Sequence, residues 1–201
     1  MSKVLSIGAH YDDIEIAMGG SLLLHKDKGD EIFIAVLFTD DDYAGNTFIR
    51  AAEQETSLGI LKAKLFSFVT KQSMKHIVRL LDKIEPDLLY FPYEIDYHQE
   101  HRFTSEVGLA MSRRIGMSVL KYITITSYNY YPNYLQSINI EAKKVLVGCF
   151  KSQMERRPDI LKRMLAQDKF FASLIPNDGE YAEGFVFHRM IANQERKVLH
   201  E

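Results

Sequence analysis

The sequence predicts an α/β fold, a three-layer sandwich with a mainly parallel sheet between two helical layers. Three observations carry this. Apolar runs of strand length alternate with segments of helical periodicity through the first half of the chain. The strand-like runs are apolar on both faces, as strands covered on both sides must be. The chain has 201 residues, 46% hydrophobic and 26% charged, with no repeat, low-complexity tract or linker. That points to one domain, 1–201, with a single sizeable core.

Lys3 to Gly8 is a short apolar run and reads as the first strand. Gly19 to Lys28 carries Leu22, Leu23 and Leu24 and reads as a helix stopped by Gly29. Glu31 to Thr39 is almost wholly apolar and reads as the second strand. Thr47 to Leu61 reads as a helix, and Leu65 to Val69 as the third strand. Ser73 to Ile84 puts Met74, Ile77, Leu80, Leu81 and Ile84 on one helical face. Asp87 to Tyr93 is the fourth strand. A helix from Arg102 to Arg114, a strand at Tyr122 to Tyr128, and helices at Glu141 to Gln153 and Asp159 to Leu174 complete the reading.

Composition removes several function classes. Lys plus Arg is 25 and Asp plus Glu is 27, a net charge of −2. No general basic field exists to attract nucleic acid or an acidic membrane surface. No apolar run approaches the ~20 residues of a membrane span, and the N-terminus lacks a signal h-region; the expected location is the cytoplasm. The single cysteine, Cys149, excludes an internal disulfide framework and a Cys-rich zinc module. Seven histidines remain to be placed.

In an open α/β sheet, ligands bind beyond the carboxyl ends of the strands. Three turns there are ionisable: Ala9-His10-Tyr11-Asp12-Asp13, Thr39 to Asp42, and Asp96 to Arg102. The first lacks both the dinucleotide and the P-loop glycine patterns. It offers an imidazole and two adjacent carboxylates, one able to ligate a metal while the other faces a substrate. The last contains H-x-x-H, His98 and His101. Two His and one Asp form a three-ligand set with an open position, the pattern of a catalytic zinc.

Plainer readings compete. H-x-x-H alone has little specificity, and Asp13 could simply cap a helix. Asp40 to Asp42 reads as a solvated acidic loop. His25 reads as a surface residue, His76 as structural and His200 as part of the tail; His188 stays unassigned. Cys149 reads as a core thiol in an apolar helix. Tyr128 to Tyr134 fits a packed loop, an aromatic sugar platform or a subunit contact.

The sequence resembles the PIG-L/LmbE family of zinc-dependent N-deacetylases. The carrying motifs are A-H-Y-D-D-I-E-I-A-M-G-G at residues 9 to 20; Arg50-x-x-Glu53 with Leu58-Gly59; and Asp96 to Arg102. Fainter ones are Lys143 to Ser152-Gln153 and Ala182 to Phe185. Tyr11 replaces the family's usual proline, Glu100 its commoner Asp, and Phe150 a frequent histidine. The resemblance implies an LmbE-like, Rossmann-like fold. It implies that His10, Asp13 and His101 bind zinc (iron being an alternative) and that Asp12 is the general base. It gives His98 the oxyanion or the leaving amine, oriented by Glu100 or Asp96 from the second shell. Arg50 contacts substrate, and identical chains assemble into an oligomer. The chemistry of the residues agrees, a protonated His98 being well suited to a developing negative charge.

The expected activity is removal of the N-acetyl group from an N-acetylamino sugar or its glycoside. One alternative is a Mg²⁺-dependent phosphohydrolase using Asp12, Asp13 and Asp40 to Asp42. Another is a non-catalytic amino-sugar binding subunit.

Overall fold

Successive residues of β1 (Lys3–Gly8) enter different cores: Val4 packs into one hydrophobic cluster, Leu5 and Ile7 into the other. In β2 (Glu31–Val36), Ile32, Ile34 and Val36 join the first while Phe33 and Ala35 join the second. This period of two, apolar on both sides, requires a helical layer on each face. Helices α1 (Asp13–Asp27), α2 (Thr47–Leu61) and α5 (Ile140–Val147) close one face. Helices α3 (Met74–Leu81) and α4 (Gln99–Met111) close the other through Ile77, Leu81, Val107 and Met111. The computed structural model describes residues 1–40, 45–176 and 179–191. Asp41, Asp42 and His200 lie outside them.

The remaining strands are β3 (Lys64–Ser67), β4 (Leu88–Pro92), β5 (Ser118–Tyr122), β6 (Tyr134–Ser137) and β7 (Ala182–Arg189). The sheet order is β3-β2-β1-β4-β5-β7-β6. The first five strands are parallel; β7 runs antiparallel to β5, and β6 antiparallel to β7. Strand order reverses between β1 and β4, the place where such sheets open a crevice. The two antiparallel strands were not foreseen. β6 is short and half-buried, and it carries the end of the tyrosine-rich segment. The predicted strand Tyr122 to Tyr128 begins where β5 already ends.

Two predicted helices change shape. α1 starts at Asp13, six residues before Gly19, and kinks at Met18 (φ −145°, ψ 23°). The glycine pair that reads as a boundary sits inside the helix because Gly20 has no room for a side chain: a Cβ would lie 2.7 Å from Ile138. Beyond the kink the backbone needs new acceptors, and the buried Glu183 carboxylate of β7 supplies them, accepting from Gly20 N (2.9 Å) and Ser21 N (2.8 Å). Lys143 Nζ binds Glu183 (2.8 Å) and Asp168 (2.7 Å), all three side chains fully buried. The predicted Glu141 to Gln153 helix divides into α5 and α6 (Lys151–Arg156), followed by α7 (Asp159–Ala172). Cys149 lies between the first two and is half-buried, so it is not a core helix thiol. His76 is exposed rather than structural. His25 is not a free surface residue, since Nδ1 pairs with Asp30 at 2.8 Å and Nε2 meets Tyr90 Oη at 3.1 Å. Among the described residues no helix is long and apolar enough to cross a membrane.

One stability prediction arises from this triad. Burial, with Glu183 nearby, pushes the Asp168 carboxyl up to about 7. Its folded pKa exceeds its unfolded one, so its contribution is complete below about pH 4 and is lost as pH rises to 7. Asp168→Asn is expected to remove roughly 4 kcal/mol at most of that pH-dependent loss, read as a flatter stability curve in urea titrations from pH 4 to 7.5. An unchanged slope would refute the assignment.

Candidate metal and catalytic site

The chain leaves β1 at Gly8 and must reverse into α1 within four residues. Asp13 closes this turn by accepting from the His10 backbone N–H at 2.8 Å. Asp12 takes a left-handed conformation, φ 93°, a state costing a non-glycine residue about 1–3 kcal/mol. The buried Arg50 guanidinium holds the turn, donating to Tyr11 O (3.2 Å) and lying 4.0 Å from Asp12 Oδ1. Tyr11 does not face the metal-ligand cluster; it is buried in the core, its ring centroid 5.9 Å from the Arg50 guanidinium carbon.

After β4 the chain is pinned by Asp96. This buried carboxylate accepts from Thr126 Oγ1 (2.6 Å), Ser127 Oγ (2.9 Å), Thr124 Oγ1 and the His98 backbone N–H (2.7 Å). His98 then caps α4, its Nδ1 accepting from Glu100 N at 3.3 Å. His101 follows within the first turn, buried and facing the β1 turn.

The two turns meet at Asp13. His10 Nδ1 and His101 Nε2 each lie 3.3 Å from Asp13 Oδ2, and one ligand atom from each of the three lies within 4.8 Å of the others. His101 Nε2 is buried and makes no hydrogen bond. Each imidazole presents its second nitrogen to another carboxylate: His10 Nε2 to Glu100 (2.5 Å) and His101 Nδ1 to Asp96 (3.2 Å). This is the outer-shell arrangement that orients histidine ligands. His10, His98 and Glu100 also cluster, but Glu100 is already engaged with His10, and that group lacks the orphaned nitrogen.

Charge tells the same story. Burial opposes charge on both imidazoles, yet the Asp13 carboxylate, with Glu100 beside His10 and Asp96 beside His101, raises His10 to about 9 and His101 to about 10. Asp13 is held well below the usual range despite burial, because two imidazoliums flank it. Such a site demands positive charge, and a divalent cation meets that demand by displacing protons from the ligands. The donor set therefore fits a catalytic zinc or iron. Burial, then the Asp13 charge, push Asp12 up to about 8 against the pull of Arg50.

Two further observations concern His98 and the carboxylates around it. His98 is lowered, first by burial and then by His101 and His10. The outer carboxylates also divide differently. Asp96 orients the His101 ring and touches only the backbone of His98, while Glu100 contacts His10 and stands 3.9 Å from His98 Nδ1.

A cavity of about 320 Å³ opens over these groups, with Arg50 and Asp12 in its wall and Gln153, Arg156 and Arg157 around it. Sequence reading missed Thr124, Thr126 and Ser127 by placing them inside a strand; their run of small hydroxyl side chains, T-I-T-S, was the available signal. It also missed Arg156-Arg157, a double arginine just after Ser152-Gln153. Glu53 accepts from both Ser152 N and Ser152 Oγ at 2.7 Å, so R-x-x-E and S-Q together fix α6 beside the cavity. Asp40 is spent on Thr70, at 2.8 and 2.6 Å. In the tyrosine-rich segment, Tyr130 is a packed residue donating to Gly184 O (2.7 Å), while Tyr128 stacks on Tyr97 with centroids 4.4 Å apart.

Known proteins share this arrangement of strands and helices. The chain is 25% identical over 164 residues to the uncharacterized deacetylase YaiS of Escherichia coli K12, covering 74% of this chain and 88% of that one. The N,N'-diacetylchitobiose deacetylase of Pyrococcus horikoshii superposes with a TM-score of 0.78 at 23% identity, covering 92% and 83% of the two chains. GalB, the 4-carboxy-2-hydroxymuconate hydratase of Pseudomonas putida KT2440, superposes as well, at 0.79 and 15% identity over 96% and 99%. One fold thus carries unlike reactions, and side chains must decide between them. The family match spans residues 5–112, from β1 through α4, and so takes in both turns of the site: the chain belongs to the PIG-L family, described as GlcNAc-PI de-N-acetylase.

Proposed function

We propose that this protein is a zinc-dependent N-deacetylase that hydrolyses the acetamide of an N-acetylamino sugar or its glycoside, releasing acetate. The observation that carries the reading is the convergence of His10 and His101 on Asp13, with Asp12 alongside and a cavity above. The N-deacetylase names within the family and among its structural neighbours support the same class.

His10, Asp13 and His101 would hold the metal. Bound there, zinc supplies Lewis acidity to an amide carbonyl and lowers the pKa of water to roughly 7. Asp12, raised by burial, is poised to take a proton from the attacking water and return it to the departing amine. The left-handed turn at Asp12 and its Arg50 partner keep that carboxyl aimed beside the ligands rather than into the helix. His98 lies against both metal-binding rings, its centroid 4.9 Å from His10 and 4.7 Å from His101. From there the imidazole can donate an N–H to the oxygen that gains negative charge, an interaction worth about 3–4 kcal/mol. Arg50 lends its fork to a hydroxyl or anionic group of the substrate.

The test is acetate release from N-acetylglucosamine conjugates by zinc-loaded protein, with metal content measured alongside. His101→Ala is expected to lose the bound zinc and to abolish turnover, whereas the wild type holds one ion per chain. Undiminished acetate release by the metal-stripped protein would overturn the reading.

A further inference from the structure

A second cavity, of about 280 Å³, lies at the other end of the strands. Leu88 and Ser118, the first residues of β4 and β5, line it, together with Ser2 before β1 and Asp30 before β2. The metal-ligand cluster sits beyond the carboxyl ends of β1 and β4. Among the described residues the two cavities share no lining residue.

The walls of the second cavity divide into apolar faces and a polar edge. Leu24 of α1, Leu120 and Phe187 supply the faces, and the Tyr134 ring packs against Phe187 with centroids 5.0 Å apart. At the edge Tyr134 Oη donates to Gln136 Oε1 (2.9 Å) and Gln136 Nε2 donates to Ser137 O (3.1 Å), and an amide nitrogen carries a second N–H. Ser21 also lines the cavity. It is only 4% exposed, and its hydroxyl oxygen is buried without a hydrogen-bond partner. Such a hydroxyl is costly to leave unsatisfied. Its position is fixed, because the Ser21 N–H donates to Glu183 at 2.8 Å. The lining carboxylates are already engaged: Asp30 with Ser2 N and His25 Nδ1, both at 2.8 Å, and Asp87 with Lys3 N at 2.8 Å. They would repel an anion, and a cation would lose its hydration against apolar walls for partners that are taken. Lys28 stands exposed at the mouth. As to size, a cavity of about 150 Å³ holds benzene, so this one admits a bicyclic ring.

We propose that this cavity binds an uncharged, flat heterocycle of nucleobase size, its faces against Leu24, Leu120 and Phe187 and its polar edge toward Ser21 and Gln136. Aromatic and aliphatic walls with a few placed polar groups are the usual composition of a small-molecule site.

The full-length protein is titrated with adenine and hypoxanthine, and backbone amide shifts are followed by NMR. At least one of the two is expected to saturate a single site with a Kd of about 1 mM or tighter. The largest shifts should fall at Leu24, Leu120 and Gln136. Benzoate and benzylammonium, rings of either charge, should bind about tenfold more weakly or worse. Ser118→Phe fills the cavity and should abolish binding. Ser21→Ala and Gln136→Leu add no bulk and should each weaken it by about threefold or more. His101→Ala, on the other side of the sheet, should leave the affinity unchanged. No saturable binding of either heterocycle overturns the proposal. So do equal binding of a charged ring, affinity unaltered in both Ser21→Ala and Gln136→Leu, or shifts centred on His10 and His101.

Discussion

Lys143→Met is expected to destabilise the protein by about 3–5 kcal/mol, the range for removing one partner of a buried ion group. The side chain is fully buried, so methionine fills much of its volume and leaves little cavity. What it removes is the cation between Asp168 and Glu183. Glu183 cannot relax into water, because its two oxygens already hold Gly20 N and Ser21 N beyond the α1 kink. The cost therefore reaches the helix that starts at the site. Denaturant unfolding checks it, and a loss below about 1 kcal/mol, the size of an ordinary substitution, would show the triad to be dispensable. Adding Asp168→Asn should recover part of the loss, since a neutral amide needs no counter-charge, whereas Glu183 must keep both oxygens to accept from Gly20 N and Ser21 N.

Asp12→Asn should lower kcat by about 10²–10⁴-fold, the usual contribution of a general base, with KM little changed. Asparagine tolerates positive φ better than most residues, so the turn and the zinc stoichiometry should persist. That separates lost proton transfer from lost metal, which is the outcome expected for His101→Ala. Full activity in Asp12→Asn would remove Asp12 from the chemistry.

Local pattern accounts for a definite part of this. Four of the five parallel strands, β1 to β4, were legible as short apolar runs, and the helical cover on each face follows from their period; β5, Ser118–Tyr122, was expected four residues later. The polar turns after β1 and β4 were legible because they interrupt those runs with His, Asp and Glu. β6 and β7 were not: β6 is half-buried throughout, and β7 opens with four buried residues that include the charged Glu183, so neither shows a clean alternation. The Gly19-Gly20 pair looked like a boundary because local propensity cannot register a carboxylate 163 residues away in sequence.

The sequence by itself determined the fold class and marked the polar turns that the fold brings together, because both are written in side-chain type and short-range period. Only the tertiary structure decided how those residues divide their roles. Asp96 contacts His101, Glu100 contacts His10, His98 lies against both rings, and Arg156-Arg157 stand at the cavity. Each of these depends on distances across β1, β4 and α6, and electrostatic effects fall with distance in space rather than along the chain.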